Sequence, residues 1–150
     1  MPSPPFDPRD PHFERRVRTS FAKQAAMQTM GATLERVAPG EVDIALTFRA
    51  DLTQQHGFLH AGVVTAVVDS ACGYAALSLM ESGAAVLSVE FKLQLLAPAR
   101  GPRFLALGRV VRPGRSLTIV SGELRSASGE LLALLNGTMM AVRDRPELAD

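Results

Sequence analysis

Apolar residues recur along this chain in two rhythms, every three to four positions near the start and every second position from residue 87, with one long apolar run between. Over residues 11–30, Phe13, Val17, Phe21, Gln24, Met27 and Met30 fall three or four apart, while Glu14, Arg15, Arg16, Arg18 and Lys23 occupy other faces. That spacing predicts one amphipathic helix, with Pro11 in its first turn and Gly31 as its stop. Residues 33–38 and 42–48 alternate on either side of Pro39-Gly40, a hairpin signal. A polar loop over 54–60 then feeds a stretch, 61–80, in which nearly every residue but Asp69 is small or apolar. Such a run predicts a buried helix. Beyond Ser82-Gly83, Leu87, Val89, Phe91, Leu93 and Leu95 alternate with Ser88, Glu90, Lys92 and Gln94, the mark of a half-buried strand. Further strands are expected over 104–111, 117–124 and 131–142, and a phase change in the second of them predicts a bulge at Gly122.

The order helix, two strands, buried helix, four strands is an α+β pattern. It is met by an antiparallel sheet of five to six strands wrapped around a long central helix, with an N-terminal helix beside it. With 150 residues, 47% of them hydrophobic, the chain supports one domain. We expect it to span 11–142, between a disordered Pro-rich segment, 1–10, and a charged, frayed tail, 143–150. A net charge of +1 argues against a dedicated nucleic-acid binder. The single cysteine allows no intrachain disulfide and suits a reducing compartment. The first ten residues carry no apolar signal segment, and Asp69 with its small neighbours favours a core helix over a membrane span. A soluble cytoplasmic protein is the expectation.

Asp69 is the anomaly, because a carboxylate on a buried helix carries a large desolvation cost unless it is paired or functional. Its neighbours offer less. His56 and His60 have the spacing of a metal pair, but Gly57 interrupts any helix and no third ligand is evident, so no metal is expected. Cys72 reads as core filling, and Ser70 lacks a nucleophile-elbow motif.

The string His56-Gly57-Phe58-Leu59-His60-Ala61-Gly62, with Asp69-Ser70-Ala71 and Gly73-Tyr74-Ala75-Ala76 after it, resembles the hotdog-fold acyl-CoA thioesterases of the phenylacetate-pathway (PaaI-type) group. Ser88-Val89-Glu90-Phe91-Lys92-Leu93, Pro98-Ala99 and Gly114-Arg115-Ser116-Leu117 follow the same pattern, so the resemblance covers residues 12–142. It implies a hotdog fold and hydrolysis of acyl-CoA thioesters with aromatic or medium-chain acyl groups, with CoA entering as part of the substrate and no separate cofactor. It also implies that Gln54 orients the water or the thioester, that Ser88 helps orient the nucleophilic water, and that Arg115 and Ser116 contact CoA.

The residues themselves add to this. A helix starting near Ala61 presents backbone N–H groups and the positive end of its dipole to an oxyanion, with Ala61 the first candidate and Gly62 the second. His60, beside that amide, is suited to fixing the loop or bonding the thioester carbonyl. Thr65, one turn before Asp69, competes with Ser88 for the role beside the carboxylate. Arg100, Arg112 and Arg115 lie in Pro- and Gly-rich loops, and guanidinium forks suit phosphates. Asp69, as general base or nucleophile, follows Ala61 by eight residues, which is about 12 Å along a helix. Both groups cannot serve one carbonyl within one subunit. Two copies related by a two-fold axis remove the conflict, so a homodimer with composite sites is expected; a further pairing into a dimer of dimers (a homotetramer) is also expected, though the spacing leaves dimer and tetramer open. The alternative reading is a non-catalytic acyl-CoA binding or sensing module.

Overall fold

The structure, a computed structural model, describes residues 6–148 and Asp150. Helices α1 (Phe13–Lys23) and α2 (Ala25–Met30) precede strands β1 (Thr33–Ala38) and β2 (Glu41–Thr47). A short 3-10 turn (Ala50–Leu52) and the long helix α3 (Ala61–Leu77) follow. The chain ends in β3 (Ala85–Leu95), β4 (Arg103–Arg112), β5 (Leu117–Ser126) and β6 (Leu131–Val142). The strands form one antiparallel sheet in the order β1-β2-β4-β5-β6-β3.

Helix α3 packs across one face of that sheet and meets β4 most extensively. Two glycines bring it close. Gly108 and Gly122 are cross-strand neighbours in β4 and β5. A Cβ on Gly108 would lie 2.2 Å from the Ala71 carbonyl, and one on Gly122 would lie 2.6 Å from Val68 Cγ1. Gly122 is therefore a site of close helix approach and not the expected bulge. The β4–β5 register is continuous through it and slips instead between Val110 and Arg112. The core around this contact includes Val67, Val68, Ala71 and Cys72 from α3, and Ile44, Phe104, Leu124, Leu135 and Met139 from the sheet.

The single helix expected over 11–30 is broken at Gln24, whose extended backbone (φ −78°, ψ 95°) separates α1 from α2. Pro11 lies in the turn before α1, which starts at Phe13. Of the expected disordered segment 1–10, residues 1–5 lie outside the described residues. Phe6 packs against the core, and Asp10 is buried in an ion pair with Arg16 at 3.4 Å. This part of the expectation is corrected by the needs of Arg16, which enters the protein to cap the end of α3. Its guanidinium donates to Leu77 O and Met80 O, both at 2.8 Å, and to Glu81 O at 2.6 Å. Buried with those carbonyls, the cation requires an anion, and Asp10 supplies it.

Two further expectations change. Helix α3 is not covered all round: Ala61 and Gly62 are exposed, and Thr65, Ala66, Asp69 and Gly73 are half-buried. Strand β3 is not half-buried either. It is an edge strand, and Leu87, Val89, Phe91 and Leu95 are exposed, with a register slip between Ser88 and Glu90. No helix among the described residues is long and apolar enough to cross a membrane.

Candidate active site

The loop over 54–60 is shaped by its own hydrogen bonds. Gln54 N donates to Phe58 O at 2.9 Å, and Gln54 Oε1 accepts from His56 N at 2.5 Å. His60 is the N-cap of α3, its Nδ1 accepting from Gly62 N at 2.8 Å. That bond takes up the Gly62 amide, which corrects its place as a second oxyanion donor. The Ala61 N–H has no intramolecular partner among the described residues and stands at the positive end of the helix. Gln54, Ala61, Phe58, Leu59 and Val64 line a largely apolar cavity of about 350 Å³, closed on its other side by residues 95–99.

Asp69 lies elsewhere, two turns along α3 on its open side. Ser88 Oγ donates to Asp69 Oδ1 at 2.7 Å and also lies 3.3 Å from Met139 Sδ. Thr65, the competing hydroxyl, donates instead to Ala61 O at 2.7 Å. Burial pushes the Asp69 carboxyl above the usual carboxylate range, and the Ser88 hydrogen bond opposes that rise. The carboxylate shares a second cavity, of about 240 Å³, with Ser20, Gln24, Ser70, Tyr74 and Ser88 among others. No residue lines both cavities. One subunit thus brings Gln54 and Ala61 together, and Asp69 and Ser88 together, but not the two pairs.

The arginines are also divided. Arg100 stacks over the Phe58 ring, 4.6 Å from its centroid, beside the first cavity. Arg115 lines a third cavity, of about 260 Å³, at the C-terminal end of α3 with Arg9 and Arg143. Arg112 and Ser116 are exposed near it, flanking the β4–β5 turn. Cys72 is fully buried, and burial pushes its thiol up to about 12, which removes it as a nucleophile. Gln24 was not recognised from sequence as a site residue. The available signal was a polar side chain on the apolar face of an amphipathic pattern.

A sheet laid against one long helix, with a carboxylate on the helix's uncovered side, defines a hotdog-fold hydrolase. Residues 56–133 match the thioesterase superfamily, and the chain belongs to that superfamily. It is 48% identical to a thioesterase family protein from Silicibacter pomeroyi, whose crystal structure superposes with a TM-score of 0.85 over 87% of this chain and 98% of that one. It is 31% identical over 103 residues to human acyl-coenzyme A thioesterase 13, covering 67% of this chain and 73% of that protein. The PaaI protein of the Escherichia coli phenylacetic acid degradation operon shares the fold, with a TM-score of 0.81 at 18% identity over 87% of this chain and 93% of that one.

Proposed function

We propose that the protein hydrolyses acyl-CoA thioesters, with aromatic or medium-chain acyl groups, in sites shared between two copies of the chain. The observation that carries the reading is the separation of Gln54 and Ala61 from Asp69 and Ser88 into two cavities without a common residue. About 12 Å of helix lies between the Ala61 amide and the carboxylate-bearing residue, which is too far for one carbonyl. A two-fold axis running past α3 sets Ala61 of one copy against the partner subunit's Asp69.

In that site the Ala61 N–H holds the thioester carbonyl and Gln54 orients the thioester or the water. The partner subunit's Asp69 removes a proton from water as the oxygen attacks the carbonyl carbon. The charge that develops on the carbonyl oxygen is met by the Ala61 N–H. Collapse of the tetrahedral intermediate breaks the C–S bond, and the proton held by Asp69 passes to the departing thiolate. Direct attack by the carboxylate is the other course open to Asp69, through an acid anhydride that water then cleaves. His60 holds the loop by capping α3. For CoA, Arg100 stands beside the amide end of the site, and Arg115, Ser116 and Arg112 of the partner stand beyond its carboxylate end. No cofactor besides substrate CoA is required.

The uncovered side of α3 and the exposed edge of β3 support the dimer. Leu87, Met140 and Leu117 are neighbours across β3, β6 and β5 and all are exposed, which supports a second pairing of dimers. The single cysteine supports a cytoplasmic location.

The test is complementation. Asp69→Ala and Gln54→Ala chains are each assayed for thiol release from acyl-CoAs, then unfolded together at equal concentration and refolded. Shared sites restore about a quarter of wild-type activity, because half the dimers are mixed and each mixed dimer has one intact site. No gain on mixing overturns the shared site. Tight acyl-CoA binding by the wild type without turnover overturns hydrolysis in favour of a sensing module.

A further inference from the structure

Phe58 and Arg100 sit on two segments that a backbone hydrogen bond stitches together right beside them. Leu59 N donates to Ala99 O at 3.0 Å, and both of those residues are buried. Next to the stitch come Phe58, half-buried, and Arg100, exposed, with the guanidinium carbon 4.6 Å from the centroid of the ring. The ring is held in turn by its own loop. Gln54 N donates to Phe58 O at 2.9 Å, Gly57 N donates to Gln54 O at 3.0 Å, and Gly57 makes the turn at φ +83°. Arg103, three residues beyond Arg100, is paired with Glu35 at 3.0 Å. Arg100 has no salt bridge or hydrogen bond among the described residues, so the ring is its anchor.

A guanidinium stacked on an aromatic ring gives the ring its face and keeps its N–H donors, which lie in its plane, for another partner. That flat fork of donors fits the oxygens of a phosphate, and a fork already held in place loses less side-chain freedom when the anion binds. We propose that Phe58 is a positioning residue for CoA: its ring holds Arg100 beside the cavity that Gln54 and Ala61 line, with the fork free to receive a phosphate of the substrate. The inference rests on the acyl-CoA reading of the site and adds the device that grips the CoA end. It assigns no place to the acyl group. Phe58 serves the substrate through Arg100, beyond the part of the cavity wall that it forms.

The experiment measures KM and kcat for one acyl group carried on CoA, on dephospho-CoA and on pantetheine, together with the dissociation constants of CoA and dephospho-CoA by calorimetry. It uses the wild type, Arg100→Met, Phe58→Leu, Phe58→Tyr and the double variant of Phe58→Leu with Arg100→Met. Phe58→Leu is expected to raise KM for acyl-CoA by about threefold to tenfold relative to acyl-pantetheine. Phe58→Tyr, which keeps an aromatic face, holds the wild-type ratio, and Phe58→Leu adds nothing to the ratio once Arg100 is methionine. A loss shared by acyl-CoA and acyl-dephospho-CoA supports the proposal with the diphosphate as the group held, and a loss confined to acyl-CoA supports it with the 3′-phosphate. Equal effects of Phe58→Leu on acyl-CoA and acyl-pantetheine overturn this inference alone. So does an undiminished effect of Phe58→Leu in the Arg100→Met chain. Absence of thiol release from every thioester overturns the hydrolytic reading, and calorimetry then decides this one: a CoA affinity that falls in Phe58→Leu and is kept in Phe58→Tyr supports it, and one that Phe58→Leu leaves intact overturns it.

Discussion

Ser88 Oγ donates to Asp69 Oδ1 across 2.7 Å, tying the carboxylate of the central helix to a hydroxyl on the edge strand of the sheet. Among the described residues this bond is the one contact that favours the ionised carboxyl against the desolvation that disfavours it. Replacing Ser88 by alanine removes it. The acid limb of kcat/KM then moves to higher pH by about one to two units, since a hydrogen bond to a charged group contributes roughly 1.5–3 kcal/mol. A pH–rate profile checks this, and an unmoved limb refutes it.

Asp69→Asn has opposite effects on activity and stability. The folded carboxyl titrates above its ordinary value of 3.8, so its favourable contribution to folding is complete below that pH and is lost as pH rises through the folded value. At pH 7 the ionised group lowers stability. The amide is expected to raise Tm at pH 7, with the gain shrinking toward pH 3.8, while turnover falls by about a hundredfold or more. Thermal melts across pH alongside steady-state kinetics test both halves.

Gly108→Ala places a methyl group 2.2 Å from the backbone of Ala71, where neither strand nor helix can yield by a rotamer change. The expected cost is about 3 kcal/mol in urea unfolding. A loss below 1 kcal/mol would mean that α3 can lift from the sheet.

Arg16→Met strands Asp10 without its counter-ion and frees the carbonyls of Leu77, Met80 and Glu81. Removing one member of a buried pair costs about 3–5 kcal/mol. Asp10→Asn in the same chain is expected to recover part of that loss, because the charge then goes with its partner. A double-mutant cycle measures the coupling.

Glu81 gives the protein an acid limit. Its hydrogen bond from Arg143, with a further one from its own backbone, lowers the carboxyl from 4.5 to about 2. The contribution to stability is present above pH 4.5 and is lost as pH falls through about 2. Glu81→Gln is expected to flatten the decline of Tm over that window.

The fold was legible wherever one face of an element decided its pattern. The alternation over 33–38 and 42–48, the Pro39-Gly40 turn between them and the apolar run after His60 each name a local conformation, and each formed. What sequence could not place was the neighbour on the other side. Strand β3 carries the pattern of a half-buried strand, yet Leu87, Val89, Phe91 and Leu95 are exposed in a single chain, because the pattern records burial without saying whose surface supplies it. The break at Gln24 was hidden because Gln24 keeps the three-to-four spacing on both sides. In the site, Asp69 declared itself as a charge in an apolar run. The choice of Ser88 over Thr65 depended on χ1 directions and strand register, neither of which is written in spacing.

The strand order sets when the site can exist. Strand β3 follows α3 in the chain, but among the described residues its hydrogen-bonded neighbour is β6, the last strand. On the ribosome, Asp69 and Ser88 are made long before residues 131–142 leave the exit tunnel. Until they do, the carboxylate has no strand to hold its hydroxyl partner. Closing so distant a pair is slow compared with forming hairpins, and without β6 the strand that carries Ser88 has no hydrogen-bonded neighbour in the sheet among the described residues. The bond between Asp69 and Ser88 therefore depends on a strand more than forty residues further along the chain.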